Sequence, residues 1–85
     1  MARFYFTYGT EGQPFFGGWT EVDAPDIHAA CAAFRVYHPD KTEGIVNCSS
    51  IYNEDSFMRT QMYRDGNYNR RCHEIITLRH EVVAD

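Results

Sequence analysis

The chain has 85 residues and a mass of 9.9 kDa, which suits one small domain over residues 1–85 and excludes a second hydrophobic core. Its 44% hydrophobic and 24% charged residues are typical of a folded protein, so intrinsic disorder is not expected. A net charge of -4 argues against direct binding to duplex nucleic acid. No apolar run approaches the roughly 20 residues of a membrane span and no secretory signal is visible, so we expect a cytoplasmic protein without a membrane partner.

The N-terminal part of the sequence predicts two antiparallel strands. Residues 3–8 place Phe4, Phe6 and Tyr8 on one face, and this alternation of aromatic residues indicates a strand. Four glycines and one proline make residues 9–18 a loop, and residues 19–24 read as the second strand.

A helix is expected next. Pro25 and Asp26 suit its first turn, because proline is preset for that position and a carboxylate suits the positive end of the helix dipole. His38 precedes Pro39, which predicts the end of the helix near Tyr37. Four residues form a stripe that we expect to face the core: Ile27, Ala30, Cys31 and Phe34.

The second half predicts a strand over residues 45–52, a short helix that Asn53 caps, a polar loop over 63–71 and a last strand over 72–82. The resulting order is ββαβαβ. We therefore expect a single α+β domain whose four-stranded, mainly antiparallel sheet carries two helices packed on one face.

The spacing of the cysteines and histidines does not support a metal site, a cofactor site or a catalytic site. The three cysteines lie far apart in the sequence: Cys31, Cys48 and Cys72. This spacing fits neither a disulfide framework nor a zinc ribbon, so we expect three buried thiols. The four histidines have no metal-ligand spacing, so no metal and no cofactor are expected.

The tripeptide Cys72-His73-Glu74 invites a catalytic interpretation, but neighbours on a strand point to opposite faces. We therefore expect no catalytic residues and no enzyme. A small hydrolase acting on cyclic nucleotides through His73 and Glu74 is the enzymatic alternative.

The segment from Arg59 to His73 is the most informative about function. Its four arginines stand against Asp65 alone, a local charge of four minus one, or +3. Arginine binds phosphate oxygens, tyrosine stacks on bases, and asparagine and histidine hydrogen-bond base or sugar edges, so the segment suits a phosphorylated, base-bearing ligand. The alternative is a solvated loop whose arginines pair with acidic surface. The candidate ligand residues are Tyr63, Arg64, Asn67, Tyr68, Asn69, Arg70, Arg71 and His73.

Aromatic residues are more numerous than one small core needs. There are six Phe, six Tyr and one Trp, so some of them must be exposed. Exposed aromatic residues favour a homodimer interface or a ligand-binding face.

The chain also resembles a family of small, largely uncharacterised proteins of Firmicutes genomes, prophages and other mobile elements. The similarity covers nearly the whole chain. It is carried by Gly17-Gly18-Trp19, Ala29 to Phe34, His38-Pro39-Asp40, Asn47-Cys48, Ile51-Tyr52, Phe57, Thr60, Met62, Gly66-Asn67 and Cys72-His73-Glu74. The resemblance brings no catalytic residues, but it implies a phage accessory protein that antagonises bacterial immunity in the host cytoplasm.

Together these observations lead to one main hypothesis and two alternatives. The main one is a non-enzymatic, dimeric sponge that sequesters a nucleotide-type immune signal. The first alternative is an anti-CRISPR-type inhibitor that blocks the nucleic-acid site of a defence protein with its acidic region. The second is a structural phage protein whose aromatic residues form a dimer. The acidic region comprises Glu11, Glu21, Asp23 and Asp26.

Overall fold

The alternating aromatic residues near the N-terminus form a central strand of a four-stranded sheet in the computed structural model, which describes residues 1–66 and 72–77. The domain is α+β, as predicted, and its described part contains three helices. The elements are β1 (Ala2–Thr7), β2 (Trp19–Ala24), α1 (Ile27–Tyr37), β3 (Ser50–Asn53), α2 (Glu54–Met58), α3 (Gln61–Asp65) and β4 (Cys72–Thr77).

The sheet is mixed. Its strand order is β3-β1-β2-β4, and β1 runs antiparallel to both β2 and β3. Strand β4 runs parallel to β2, so the sheet is not antiparallel throughout. The chain enters β4 beside Trp19, at the same end of the sheet where β2 begins, and this places the first residues of both strands together.

Helix α1 covers one face of the sheet. Asp26 caps it by accepting a hydrogen bond from the Ala29 amide at 2.8 Å, and the helix ends at Tyr37 as predicted. Phe6 of β1 and Phe34 of α1 are fully buried, and their rings stack with centroids 4.4 Å apart. Of the predicted stripe, Ile27 is 44% exposed because it lies in the first turn at the edge of the contact.

Helices α2 and α3 lie on the opposite face, which corrects the prediction of two helices on one face. Tyr5 points away from Phe4 and Phe6 and stacks on Phe57 of α2, with ring centroids 4.2 Å apart. Trp19 packs edgewise on the same Phe57 ring. A single strand with aromatic residues on both faces requires cover on both.

The predicted second helix is divided in two. Asn53 caps α2 as expected, accepting from the Ser56 amide at 2.8 Å, but Thr60 opens a new helix by accepting from the Tyr63 amide at 3.2 Å. Tyr63 and Arg64 therefore lie in α3, not in a loop. Among the described residues no helix is long and apolar enough to span a membrane.

The third strand is shorter than predicted, and the fourth is described only in part. Strand β3 begins at Ser50, because an isolated bridge between Thr42 and Ile45 and a backbone bond between Cys48 and Val46 turn the chain before it. The predicted last strand is described as far as Thr77, and its remainder lies outside the described residues.

Truncating Phe57 tests whether the second face is a true core. Phe57 is fully buried, whereas its neighbour Met58 is 47% exposed. We expect Phe57→Ala to lower the free energy of unfolding by about 3–5 kcal/mol and Met58→Ala by less than about 0.5 kcal/mol. Urea unfolding followed by Trp19 fluorescence measures both, with Phe57→Leu as the milder variant if the alanine variant does not fold. Equal losses for Phe57→Leu and Met58→Ala would contradict the two-sided core.

Candidate functional site

A β-bulge at His73 organises the candidate site. Trp19 pairs with Cys72, but the next residue of β2, Thr20, pairs with Glu74, so His73 is an extra residue in the ladder. Bulges re-aim side chains, and here the His73 ring stacks on Phe15 with centroids 4.5 Å apart and an interplanar angle of 25°. Phe15 itself packs against the core beneath α1.

This bulge removes the argument that His73 and Glu74 must face opposite sides. The alternation rule holds only for an uninterrupted strand, and the extra residue interrupts it. Both side chains meet groups on the α1 side of the sheet: His73 meets Phe15, and Glu74 meets His38 at the end of α1. Nothing in the sequence indicated the bulge or the contact between His38 and Glu74.

Glu74 is the centre of a polar network. Thr20 Oγ1 donates to Glu74 Oε1 at 2.9 Å, and the Tyr8 hydroxyl lies 2.5 Å from Thr20 Oγ1. Since the Thr20 proton is used on Glu74, the Tyr8 hydroxyl is the donor to Thr20. His38 Nε2 contacts the same Oε1 atom, and because an ionised carboxylate only accepts, Nε2 carries the donated proton.

The inner half of this network is sealed from solvent. Tyr8 and Thr20 are both fully buried. Burial raises the pKa of the Tyr8 phenol well above its usual range, and the nearby Glu74 charge adds to the shift although the Thr20 hydrogen bond opposes it. The phenol therefore remains a neutral donor at any physiological pH.

Phe15 links the two imidazoles of the site. Its ring meets His73 face to face and His38 edge to face, the latter with centroids 5.4 Å apart and planes at 87°. Tyr8 also contacts Phe15 edgewise, with centroids 5.8 Å apart. The exposed His73 ring is thus supported from beneath by a ring that buried groups hold in place.

Of the eight predicted ligand residues, the structure describes three. Tyr63 and Arg64 are exposed in α3, and His73 is exposed on β4. The other five lie outside the described residues: Asn67, Tyr68, Asn69, Arg70 and Arg71.

Tyr63 and His73 approach the same end of the sheet from opposite faces. The Tyr63 ring lies edgewise against Phe57, with centroids 6.0 Å apart, and Phe57 in turn contacts Trp19. Trp19 pairs with Cys72, the residue before His73. No contact joins Tyr63 to His73 within the described ranges, so their common feature is the end of the sheet they share.

The predicted acidic region is largely neutralised by its own domain. Arg3 donates to both carboxylate oxygens of Asp23, at 2.7 and 3.0 Å, and to Glu21 at 2.9 Å. The hydrogen bond to Asp23 is the main reason that the pKa of Arg3 rises above its usual range. Asp26 is occupied as the cap of α1, and Glu11 lies apart in the β1–β2 loop.

A cleft at the far end of the sheet from His73 is lined by Arg3, Asp23, Glu54 and Asp55. Arg3 is paired with Asp23, so Glu54 and Asp55 leave the lining with an excess of negative charge. This lining disfavours a phosphorylated ligand, because the excess repels its charge.

In the part of the chain that the structure describes, neither a cluster of metal ligands nor three buried thiols is found. Within residues 1–66 and 72–77, no group of three His, Cys, Asp or Glu side chains is arranged to hold a metal ion. Cys31 and Cys48 are partly buried, but Cys72 is exposed, contrary to the expectation, because it opens an edge strand.

Comparisons of the chain with family models, curated proteins and solved structures find no match. The resemblance to small proteins of prophages and mobile elements therefore stays a prediction.

Removing the Tyr8 hydroxyl tests the sealed network. Tyr8→Phe leaves the buried Thr20 hydroxyl without this donor and should lower the free energy of unfolding by about 1–2 kcal/mol. Tyr5→Phe is the matched control, since the Tyr5 hydroxyl reaches Glu54 only at 3.5 Å, and should cost less than about 0.5 kcal/mol. Urea unfolding at pH 7 compares them, and an equal or smaller loss for Tyr8→Phe would count against the network.

Alkaline pH should destabilise the fold through the Cys48 thiol. Burial raises the pKa of this thiol from 9.0 to about 11. Because the unfolded thiol ionises first, its stabilising effect is complete below pH 9 and is lost as pH rises through 11. Urea midpoints between pH 7 and 10.5 should fall above pH 9, and the fall should be shallower in Cys48→Ala. A Cys48→Ala profile as steep as that of the unchanged protein would refute the role of this thiol.

Proposed function

We propose that this protein is a small, non-enzymatic binding protein that sequesters a phosphorylated, base-bearing ligand at the end of the sheet where β4 begins. The observation that carries the proposal is the exposed His73 side chain, whose ring the bulge turns onto Phe15. A supported, exposed aromatic ring is the kind of surface on which a base stacks.

The polarity of this surface suits a nucleotide. The face of the His73 ring can stack on a base, and the two nitrogens at its edge can hydrogen-bond a base or sugar edge. The exposed Phe16 and Tyr63 add apolar area near the same end of the sheet, at 39% and 45% exposure. These features support a ligand with a planar, polar ring.

The distribution of charge supports a phosphorylated ligand at this end. Arg64 lies in the last turn of α3, and the sequence places Arg70 and Arg71 immediately before β4. The carboxylates of Glu21 and Asp23 are engaged by Arg3, and Glu21 also accepts from Trp19 Nε1 at 3.0 Å. Glu74 is the residue after His73, and its carboxylate is already bonded by Thr20 and His38.

The biological role follows from the resemblance stated above. We infer that the ligand is a nucleotide immune signal and that the protein acts in the host cytoplasm as a phage or prophage sponge, without a cofactor. Within the described residues, the exposed aromatic side chains of Phe16, Tyr37 and Tyr63 support a homodimer. The Cys72 thiol beside His73 has a raised pKa, so it stays protonated at neutral pH, and we assign the site binding only.

The anti-CRISPR-type alternative is weaker because of the Arg3 contacts. An acidic surface that enters a positively charged channel needs carboxylates free to meet the partner's cations. Two of the four carboxylates are bonded to Arg3 and a third caps α1. We do not carry this alternative further.

A thermal-shift panel tests the proposal. The purified protein is screened against ADP-ribose derivatives, cyclic dinucleotides and cyclic oligonucleotides, with mononucleotides as controls. A ligand at about 100 times its dissociation constant stabilises the fold by roughly 2.7 kcal/mol, which should raise the melting temperature by about 10 °C or more. We expect one class to give such a shift.

Substitutions then locate the site. Arg70→Ala combined with Arg71→Ala should abolish the shift, and Arg64→Ala or His73→Ala should reduce it. Arg59→Ala and His28→Ala are matched controls on exposed residues outside the proposed site and should retain it. A panel without any shift, or controls as damaging as the site variants, would overturn the proposal.

A further inference from the structure

The contact between His38 and Glu74 joins the end of α1 to the strand that carries His73. His38 is the residue directly after α1, and Glu74 directly follows His73. The contact therefore spans two elements that are far apart in sequence, and one end of it lies beside the exposed ring of the proposed ligand site.

We propose that His38 and Glu74 are positioning residues which hold the His73 ring on Phe15, and that the charge of His38 controls how firmly they do so. The relevance to ligand binding rests on the proposed function. The positioning itself is a property of the protein without ligand.

The geometry gives Glu74 this role because two elements fix its carboxylate. Thr20 binds it from β2 and His38 binds it from the end of α1. The backbone of β4 at Glu74 is thereby tied down directly after the bulge, where the ladder itself is irregular. His73 is the single unpaired residue between Cys72, which pairs with Trp19, and Glu74, whose position is fixed.

Phe15 connects His38 to His73 by a second route. The Phe15 ring contacts the His38 ring at its edge and the His73 ring at its face. A shift of the His38 ring therefore disturbs the support of His73 as well as the hold on Glu74. Both routes act on the same exposed ring.

The charge of His38 matters because histidine is the side chain that changes charge between pH 5 and 8. A neutral His38 offers Glu74 a hydrogen bond, and a protonated His38 adds an ion pair to that hydrogen bond. The contact should therefore be tighter when His38 is protonated. The titratable and charged groups near it are Tyr8, Cys48 and Cys72, and the Arg35–Asp40 pair flanks His38 in the chain.

Tyr8 and Cys48, which lie near the contact, do not change charge between pH 5 and 8. Burial keeps the pKa of Tyr8 and of Cys48 above their usual values, so both stay neutral below pH 8. Arg35 donates to Asp40 at 2.9 Å, and that pair keeps its charges. The effect of His38 can thus be separated from that of His73 by substitution.

Histidine ring NMR of the ligand-free protein tests the proposal, with signals assigned from single His→Gln variants. The His73 ring protons should be shielded by Phe15, and their pH profile should contain, besides the step of His73 itself, a second step that reports the charge of His38. His38→Gln should remove the second step. Glu74→Gln should move the His73 signal towards that of the exposed His28, whereas His28→Gln should change neither.

An unchanged His73 signal in both His38→Gln and Glu74→Gln would overturn the positioning role. If Glu74→Gln does not fold, the loss or persistence of the second step in His38→Gln decides alone. A merely structural contact would lower stability without coupling the two titrations.

Measurements of nucleotide binding distinguish a failure of this inference from a failure of the proposed function. With any nucleotide that shifts the melting temperature in the panel, His38→Gln should weaken affinity by about three- to tenfold and flatten its pH profile. Coupled titrations with no nucleotide bound would overturn the proposed function and leave the positioning intact. Binding with an unaltered pH profile in His38→Gln would overturn the regulatory part of the inference.

Discussion

The structure depends on a strand that is apolar on both faces. Strand β1 turns Phe4 and Phe6 to one side and Tyr5 to the other, and all three are buried. A strand of this kind is stable only in the interior of a sheet with cover above and below, because an edge position or an open face would expose aromatic surface. The central place of β1 and the division of the helices, with α1 on one face and α2 and α3 on the other, follow from this single constraint.

Much of this could be predicted from the sequence, and the failures have physical reasons. The two N-terminal strands, the end of α1 before Pro39 and the Asn53 cap depend on local preferences that few residues encode. The placement of α2 on the second face depended on Tyr5 being a core residue, whereas the alternation of Phe4, Phe6 and Tyr8 indicated only the first face. Thr60 was overlooked as a cap, so one helix was expected where Thr60 starts a second.

The candidate site was harder to predict because its chemistry arises from an irregularity. His73 was predicted to bind a ligand, but Phe15, which contacts it, and His38, which contacts Glu74, come from a loop and a helix end distant in sequence. A one-residue bulge leaves no composition signal, yet it decides on which side of the sheet a side chain lies. The alternation rule that excluded a relation between His73 and Glu74 was sound for a regular strand and wrong for this one.

Polar contacts are important for the attachment of β4 to the sheet, because few of its side chains are buried. Within Cys72–Thr77, Ile76 is the buried residue, while Ile75 on the other face is 56% exposed. Apolar burial therefore secures this edge strand at one point, and the bonds of Glu74 to Thr20 and His38 supply the second. A ligand stacked on His73 would bind the strand at the residue next to that polar anchor. Since coupling between two equilibria is reciprocal, whatever strengthens the anchor favours the ligand, and the ligand in turn strengthens the anchor.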